Sequence, residues 1–356
     1  MFCTLRRMLH KLTTRHRSRA GAVAALVFGF ALLASGCGSD DGGSGDSGSV
    51  TIYSGRNEDL MASVLEDFTA ETGIEVLVNY GESDLLAALI AEEDDSSPAD
   101  IFISQSPGAV GFLDQAELLS QLPDNVLELV PSTVRDDDGR WIGISGRQRV
   151  LVYHPDRVAV DELPASVMEL TDGVWKDRLG VAPANGSFQD FVTAMRFELG
   201  DDETGAWLEG LVGNGAVSYA KNSAIVEAVA RGEVDAGLVN HYYNFRAIDE
   251  NPDHPALNHQ FDTDDLGSLL IVTAAAKLKS SDNDSAADAL LEFLLSESAQ
   301  RYFADETFEY PLVEGVEPAA AIPTASFADV GSLDLEELEG GLAATRDLIT
   351  QAGFDG

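Results

Sequence analysis

Short apolar runs closed by polar turns alternate with helix-periodic stretches through most of this chain, and few folds accept that order. Residues 50–54 read as a buried strand. Asn57 can then cap a helix whose buried stripe is Leu60, Met61, Val64, Leu65 and Phe68, with Gly73 as its stop. Residues 74–78 form the next strand, Ser83 caps a helix carrying Leu85, Leu86, Leu89 and Ile90, and residues 99–104 form a third strand. Repeated strand–helix units imply a mainly parallel sheet with helices on both faces. A second set begins after Trp141, with strands at 148–154, 179–183 and 235–240 and helices at 188–199 and 224–231. The chain carries no internal repeat of solenoid type.

The extended stretches 150–153 and 269–273 bracket this second set. If each passes between lobes, the chain makes two α/β lobes joined by two hinge strands, with a ligand cleft between them that can close around a small molecule. The expected division is 50–148 with 267–318 for the first lobe and 149–266 with 319–356 for the second. Helices at 286–303 and 333–351 would dock on the lobe exteriors.

The N-terminal 36 residues hold six basic side chains and no acid, followed within them by an apolar run over 22–34. That is the pattern of a secretory signal, and the run is shorter than the roughly 20 residues a bilayer span needs. It closes on Leu33-Ala34-Ser35-Gly36-Cys37, which resembles a bacterial lipobox with Ala34 in place of the commoner Leu. Cys37 is therefore the expected lipidation site and new N-terminus; the alternative is ordinary cleavage nearby with a free Cys37. Residues 37–49 continue as a Gly/Ser/Asp tether too polar to pack. The two cysteines, Cys3 and Cys37, both lie at or before the processing point. The folded part consequently has no disulfide, no Cys zinc site and no thiol nucleophile. About 320 residues follow position 36 (356 − 36), enough for two core-bearing lobes.

Removing the signal takes six of 22 basic residues and none of the 61 acids, leaving 16 − 61 = −45. A chain so charged avoids nucleic acid and anionic lipid headgroups. The acids are scattered over helical faces as well as clustered, which fits adaptation to salty surroundings better than a dedicated acidic tail.

Tyr242-Tyr243 ends an apolar strand. A free phenol titrates near pH ~10, so two adjacent phenolates serve a strongly Lewis-acidic, oxygen-preferring cation, of which Fe(III) is the obvious case. The plain alternative is a packing pair at a strand end. Successive side chains on a straight strand point to opposite faces. Both hydroxyls reach one ion only if the strand stops at Asn240 and the chain bends into a turn or helix at His241. Polar turns at 54–58, 104–106, 184–187, 220–223 and 240–243 follow strands, and a further turn at 144–147 precedes one. Helix N-termini there suit an anion, although Asn and Ser at such positions are commonly caps.

Through these residues the chain resembles the ferric-ion-binding substrate-binding proteins of bacterial iron(III) ABC importers, members of the periplasmic-binding-protein superfamily. The resemblance runs from about residue 50 to 353 and rests most on Tyr219-Ala220-Lys221-Asn222-Ser223, Gly232-Glu233-Val234-Asp235-Ala236 and Asn240-His241-Tyr242-Tyr243. Tyr53-Ser54-Gly55-Arg56, Ser145-Gly146-Arg147 and Glu309-Tyr310-Pro311-Leu312 reinforce it. It implies a two-lobed periplasmic-binding-protein architecture of α/β class, Fe(III) as transported ligand, and Tyr242 and Tyr243 as its phenolate donors. It further implies a synergistic anion, carbonate or phosphate, held by Ser145, Gly146, Asn222 and Asn240. Arg56 and Arg147 would offset the anion's charge, or else pair with nearby acids. Where some members carry a His and a Glu, this chain has Asn57 and Gln105, and where others carry an extra Tyr it has Gly146. Glu58 is the candidate substitute, against the plain role of a helix N-terminal acid. The implied partners are an ABC permease and ATPase, reached by a lipid-anchored, extracytoplasmic monomer. Two rivals remain: a receptor for an organic cation or oxyanion such as a polyamine, thiamine or sulfate, and a secreted hydrolase using Glu58 or Asp100. No enzyme motif is present, and His154, His241, His254 and His259 lack metalloenzyme spacing.

Overall fold

The computed structural model describes residues 48–319, 322 and 341–354. The leader, Cys37, most of the tether and residues 333–340 of the expected C-terminal helix lie outside the described residues. Strands β1 (Ser49–Ser54), β2 (Glu75–Tyr80), β3 (Ile101–Ser104), β4 (Trp141–Tyr153), β5 (Leu179–Val181), β6 (Val217–Ser218), β7 (Ala236–Asn240), β8 (Leu257–His259) and β9 (Leu270–Lys277) form one sheet. Its order is β2-β1-β3-β9-β4-β7-β5-β6, with β8 also paired to β4.

The architecture is α/β as expected, but the sheet is not mainly parallel throughout. Pairing is parallel in the two wings, β2-β1-β3 and β7-β5-β6. It is antiparallel through the centre, where β9 joins β3 to β4 and β4 joins β7. The first half of β4 pairs with β9 and the second half with β7 and β8, so this strand belongs to both wings. The sequence suggests a strand from 148 only, because Ile144, Ser145, Gly146 and Arg147 look like a turn. They are strand residues instead, accommodated by a register shift between Gly143 and Ser145. Such an irregularity frees a strand from the need for strict alternation.

Local signals explain most helices. The stripe Leu60, Met61, Val64, Leu65 and Phe68 is buried in the helix Glu58–Thr72. Gly73 ends it at φ 73°, a left-handed conformation glycine takes without strain, and its N–H bonds Thr69 O at 2.8 Å. Ser83 is the first residue of the helix Ser83–Glu93 and not its cap; its Oγ accepts from the Gln105 N–H at 3.0 Å. The single helix expected over 286–303 is two, Asp284–Leu294 and Glu297–Asp305. Ser296 separates them by capping the second, its hydroxyl accepting from Ala299 N–H at 3.3 Å. The C-terminal helix is Leu342–Gln351.

Aromatic residues anchor the core. Trp207 packs on Phe188 and Phe191, with centroids 6.4 and 6.1 Å away, and donates from Nε1 to Val167 O at 3.0 Å. Phe68 meets Phe293 at 5.4 Å under the other wing. Among the described residues no helix is long and apolar enough to cross a membrane.

Candidate metal centre

Strand β7 is buried along its length and stops where the sequence demands. Asn240 is extended (φ −77°, ψ 141°) and precedes the helix His241–Glu250, with its side-chain oxygen given to Arg149 and not to the helix N-terminus. The switch from strand to helix brings neighbouring side chains to one side, and the Tyr242 and Tyr243 rings stack with centroids 4.3 Å apart. The two hydroxyls share a hydrogen bond. Tyr242 is buried, whereas Tyr243 is half-buried and forms part of the wall of a chamber of about 460 Å³. Asn57, Asp59, Asn185, Lys221 and Arg246 line the same chamber, and Arg246 reaches Asp59 at 3.0 Å across its mouth.

Three buried arginines surround the pair. Arg56 donates to Glu309 Oε1 at 2.8 Å and to the Tyr242 hydroxyl, with its guanidinium carbon 5.9 Å from the Tyr242 ring centre. Ser145 and Thr307 hydroxyls also donate to Glu309, at 3.3 and 3.0 Å. Arg147 and Arg149 alternate along β4 and so share a face. Arg147 donates to Thr273 Oγ1 at 3.4 Å and to the Gln105 carbonyl. Arg149 donates to Asn240 Oδ1 (3.0 Å), Leu238 O (3.0 Å), Ser187 Oγ (3.3 Å) and Asn222 Oδ1 (3.5 Å).

The electrostatics follow from burial. Desolvation would pull Arg56 down, but Glu309 and Tyr242 outweigh it and hold the guanidinium above its ordinary value. Burial, then the Arg56 charge, lowers Arg147. Burial, then Arg147, brings Arg149 down to about 9, so it remains a cation at neutral pH. The Tyr243 phenol is raised well above its ordinary value by burial and by Tyr242, with Arg56 and Arg147 opposing.

The structure brings Tyr242, Tyr243, Arg56 and Arg147 together and links Asn222 to Asn240 through Arg149. Ser145 turns its hydroxyl to Glu309, and the N–H and C=O of Gly146 both bond Tyr310 at 2.8 Å, so its backbone is already committed. Glu58 is exposed on the first turn of its helix, and the chamber wall carries Asn57 and Asp59 instead. His241 is turned to Gln148, whose N–H donates to Nδ1 at 3.2 Å, and to the Tyr310 ring; burial lowers it to about 4. Three residues at the site were not anticipated: Arg149, Glu309 in its pairing role, and Asp190. The Arg-x-Arg spacing on a strand was a readable signal for the first. Glu309 lies 253 positions from Arg56, beyond any local pattern.

Asp190 faces Ser106 across the cleft, and its carboxyl is pushed up to about 6 by burial against the pull of Arg147, Ser106 and Arg149. A raised carboxyl contributes its full stability below the ordinary 3.8 and loses it as pH rises through about 6. Asp190→Asn is therefore expected to raise the melting temperature at about pH 8 and to change it little near pH 4, read by calorimetry. Equal shifts at both pH values would contradict the assignment.

Among the described residues no cluster of three or more His, Cys, Asp or Glu is arranged to hold a metal, so the phenol pair defines the candidate centre. A two-winged α/β sheet with a polar cleft at its strand ends defines a solute receptor. A family model for bacterial extracellular solute-binding proteins matches residues 96–336. The major ferric iron-binding protein of Neisseria meningitidis serogroup A is 33% identical over 320 residues, covering 86% of this chain and 93% of that protein. Iron-bound HitA from Pseudomonas aeruginosa aligns with a TM-score of 0.81 at 32% identity, over 86% of this chain and 99% of its own. A Trichodesmium IdiA (FutA) in complex with iron and citrate ligands aligns with a TM-score of 0.75 at 25% identity, over 86% and 100%. The chain belongs to the bacterial extracellular solute-binding protein family, a binding protein and not an enzyme.

Proposed function

We propose that this protein captures Fe(III) outside the cytoplasmic membrane, using Tyr242 and Tyr243 as phenolates together with a small oxyanion, and delivers it to an ABC permease and its ATPase. The observation that carries this reading is the stacked, hydroxyl-linked phenol pair at the edge of a polar chamber. The names of the similar proteins, each a ferric or iron-loaded binding protein, support it. Fe(III) with two phenolates retains one positive charge. Against the cations Arg56, Arg147 and Arg149 stand the carboxyls of Glu309 and Asp190, so carbonate or phosphate would bring the loaded site closer to neutrality. Asn222 and Asn240 are the proposed anion donors, with Ser145 behind them; Arg56 and Arg147 supply counter-charge. The buried arginines disfavour a polyamine and leave an oxyanion such as sulfate as the competing ligand.

The proposed lobes divide at residue 148 within β4 and at 267 before β9, the two strands that would act as hinges. Lipidation at Cys37 would tether the receptor as a monomer to the membrane.

Two phenols must lose their protons on loading. A pH-stat titration of the mature protein with ferric iron should register about two protons released per ion beyond those from the iron solution itself. Affinity should fall as pH falls. Loading with no protein proton release would remove the phenolates from the account.

A further inference from the structure

The C-terminal helix Leu342–Gln351 is fastened to the second of the proposed lobes. Its buried Thr345 shares a 2.6 Å hydroxyl–hydroxyl hydrogen bond with Thr193 of the helix Gly186–Leu199, and Arg196 of that helix donates to Gly341 O at 2.7 Å. Arg346, the next residue, reaches the other way. It donates from Nε to Gln189 Oε1 at 3.0 Å and pairs through its other nitrogen with Asp84. Asp84 is the second residue of the helix Ser83–Glu93, on the first lobe and 262 positions away in sequence. Arg346, Gln189 and Asp84 all line a chamber of about 340 Å³, so the pair crosses the cleft there.

Such a contact has work to do in this chain. Under the division at 148 and 267, the first lobe holds 7 basic and 30 acidic residues and the second 9 and 28, giving 7 − 30 = −23 and 9 − 28 = −19. Two bodies of like charge resist approach, and salt weakens the resistance. An arginine of one lobe set against an acid of the other offsets it at the point of contact. Arg246 meets Asp59 at the mouth of the phenol chamber, and Arg346 meets Asp84 at the adjoining one. In both pairs the more acidic first lobe supplies the aspartate.

Resting on the ferric reading and the lobe division above, we propose that the C-terminal helix is a clasp: held on the second lobe by Thr345, it reaches Asp84 with Arg346, keeps the cleft shut and so sets how fast bound iron leaves. The side chains of the pair are 46% and 31% exposed, which gives it the strength of a surface ion pair. That is small beside folding, yet enough to shift a hinge equilibrium severalfold.

The test is the rate at which iron passes from the loaded mature protein into excess citrate, for the parent, Arg346→Gln, Asp84→Asn and the double variant, with melting temperature as the folding control. At low salt each single change should speed release about two- to fivefold, and the double variant should be no faster than either, because both changes remove one contact. In about 1 M salt, where charges act over only ~3 Å, the differences should shrink towards none. Single variants that release iron at the parent's rate, effects that multiply in the double variant, or effects undiminished by salt overturn the clasp. A parent that holds no iron counts against the ferric reading alone. The clasp is then decided by the radius of gyration of the unloaded proteins at low salt, which should be larger in both single variants than in the parent; equal radii overturn it.

Discussion

Tyr243→Phe is expected to lower ferric affinity about a hundredfold or more, since a lost donor should exceed the ten- to hundredfold effect of outer-shell changes. The substitution keeps the ring that stacks on Tyr242 at 4.3 Å and removes only a hydroxyl at the chamber wall, so the fold should be undisturbed. Tyr242→Phe should act similarly on iron, with an added effect on Arg56, which loses one acceptor and keeps Glu309. Equilibrium competition against citrate, with melting temperature as the folding control, measures both. If both variants hold iron as the parent does, the pair is a packing feature and an oxyanion or organic-solute receptor becomes the better description.

Glu309→Gln is expected to destabilise the protein by about 3–5 kcal/mol, the usual consequence of removing one partner from a buried ion pair. Glu309 is 1% exposed and accepts from Arg56, Ser145 and Thr307, so the carboxylate has no water to replace those contacts. Its loss leaves Arg56 beside a second buried cation, Arg147, whose field already opposes it. Urea denaturation of parent and variant gives the difference. A change under about 1 kcal/mol would mean that the pair is solvated and typical of the protein surface.

The strand–helix alternation was legible because it rests on local chemistry, an apolar stripe and a glycine stop, whereas Asn57, Ser83 and Asn240 make no side-chain cap in the structure. The centre of the sheet was not legible. β4 begins seven residues before the readable apolar run, since its Gly143 to Arg147 segment earns burial from β9, Tyr310 and Glu309, all distant in sequence. The Tyr pair and the Asn residues became candidates through motif and turn chemistry. Their supporting charges could not be assigned that way, because whether Arg56 or Arg147 meets a surface acid or a buried one depends on the tertiary fold. Arg149 was overlooked although its spacing from Arg147 placed both on one face. Glu58 is close in sequence to the first cleft loop and exposed on the first turn of its helix, but the chamber wall is formed by its neighbours Asn57 and Asp59.

The central claim is that ferric iron sits on two phenolates. Tyrosinate donation to Fe(III) gives a visible charge-transfer band that neither sulfate nor an organic solute produces. The visible absorption spectrum of the mature protein, recorded before and after one equivalent of ferric citrate and compared with the Tyr242→Phe, Tyr243→Phe double variant, tests it most directly. The account predicts a coloured parent complex and a colourless double variant. A parent that binds iron without the band, or a double variant that keeps it, would contradict the claim.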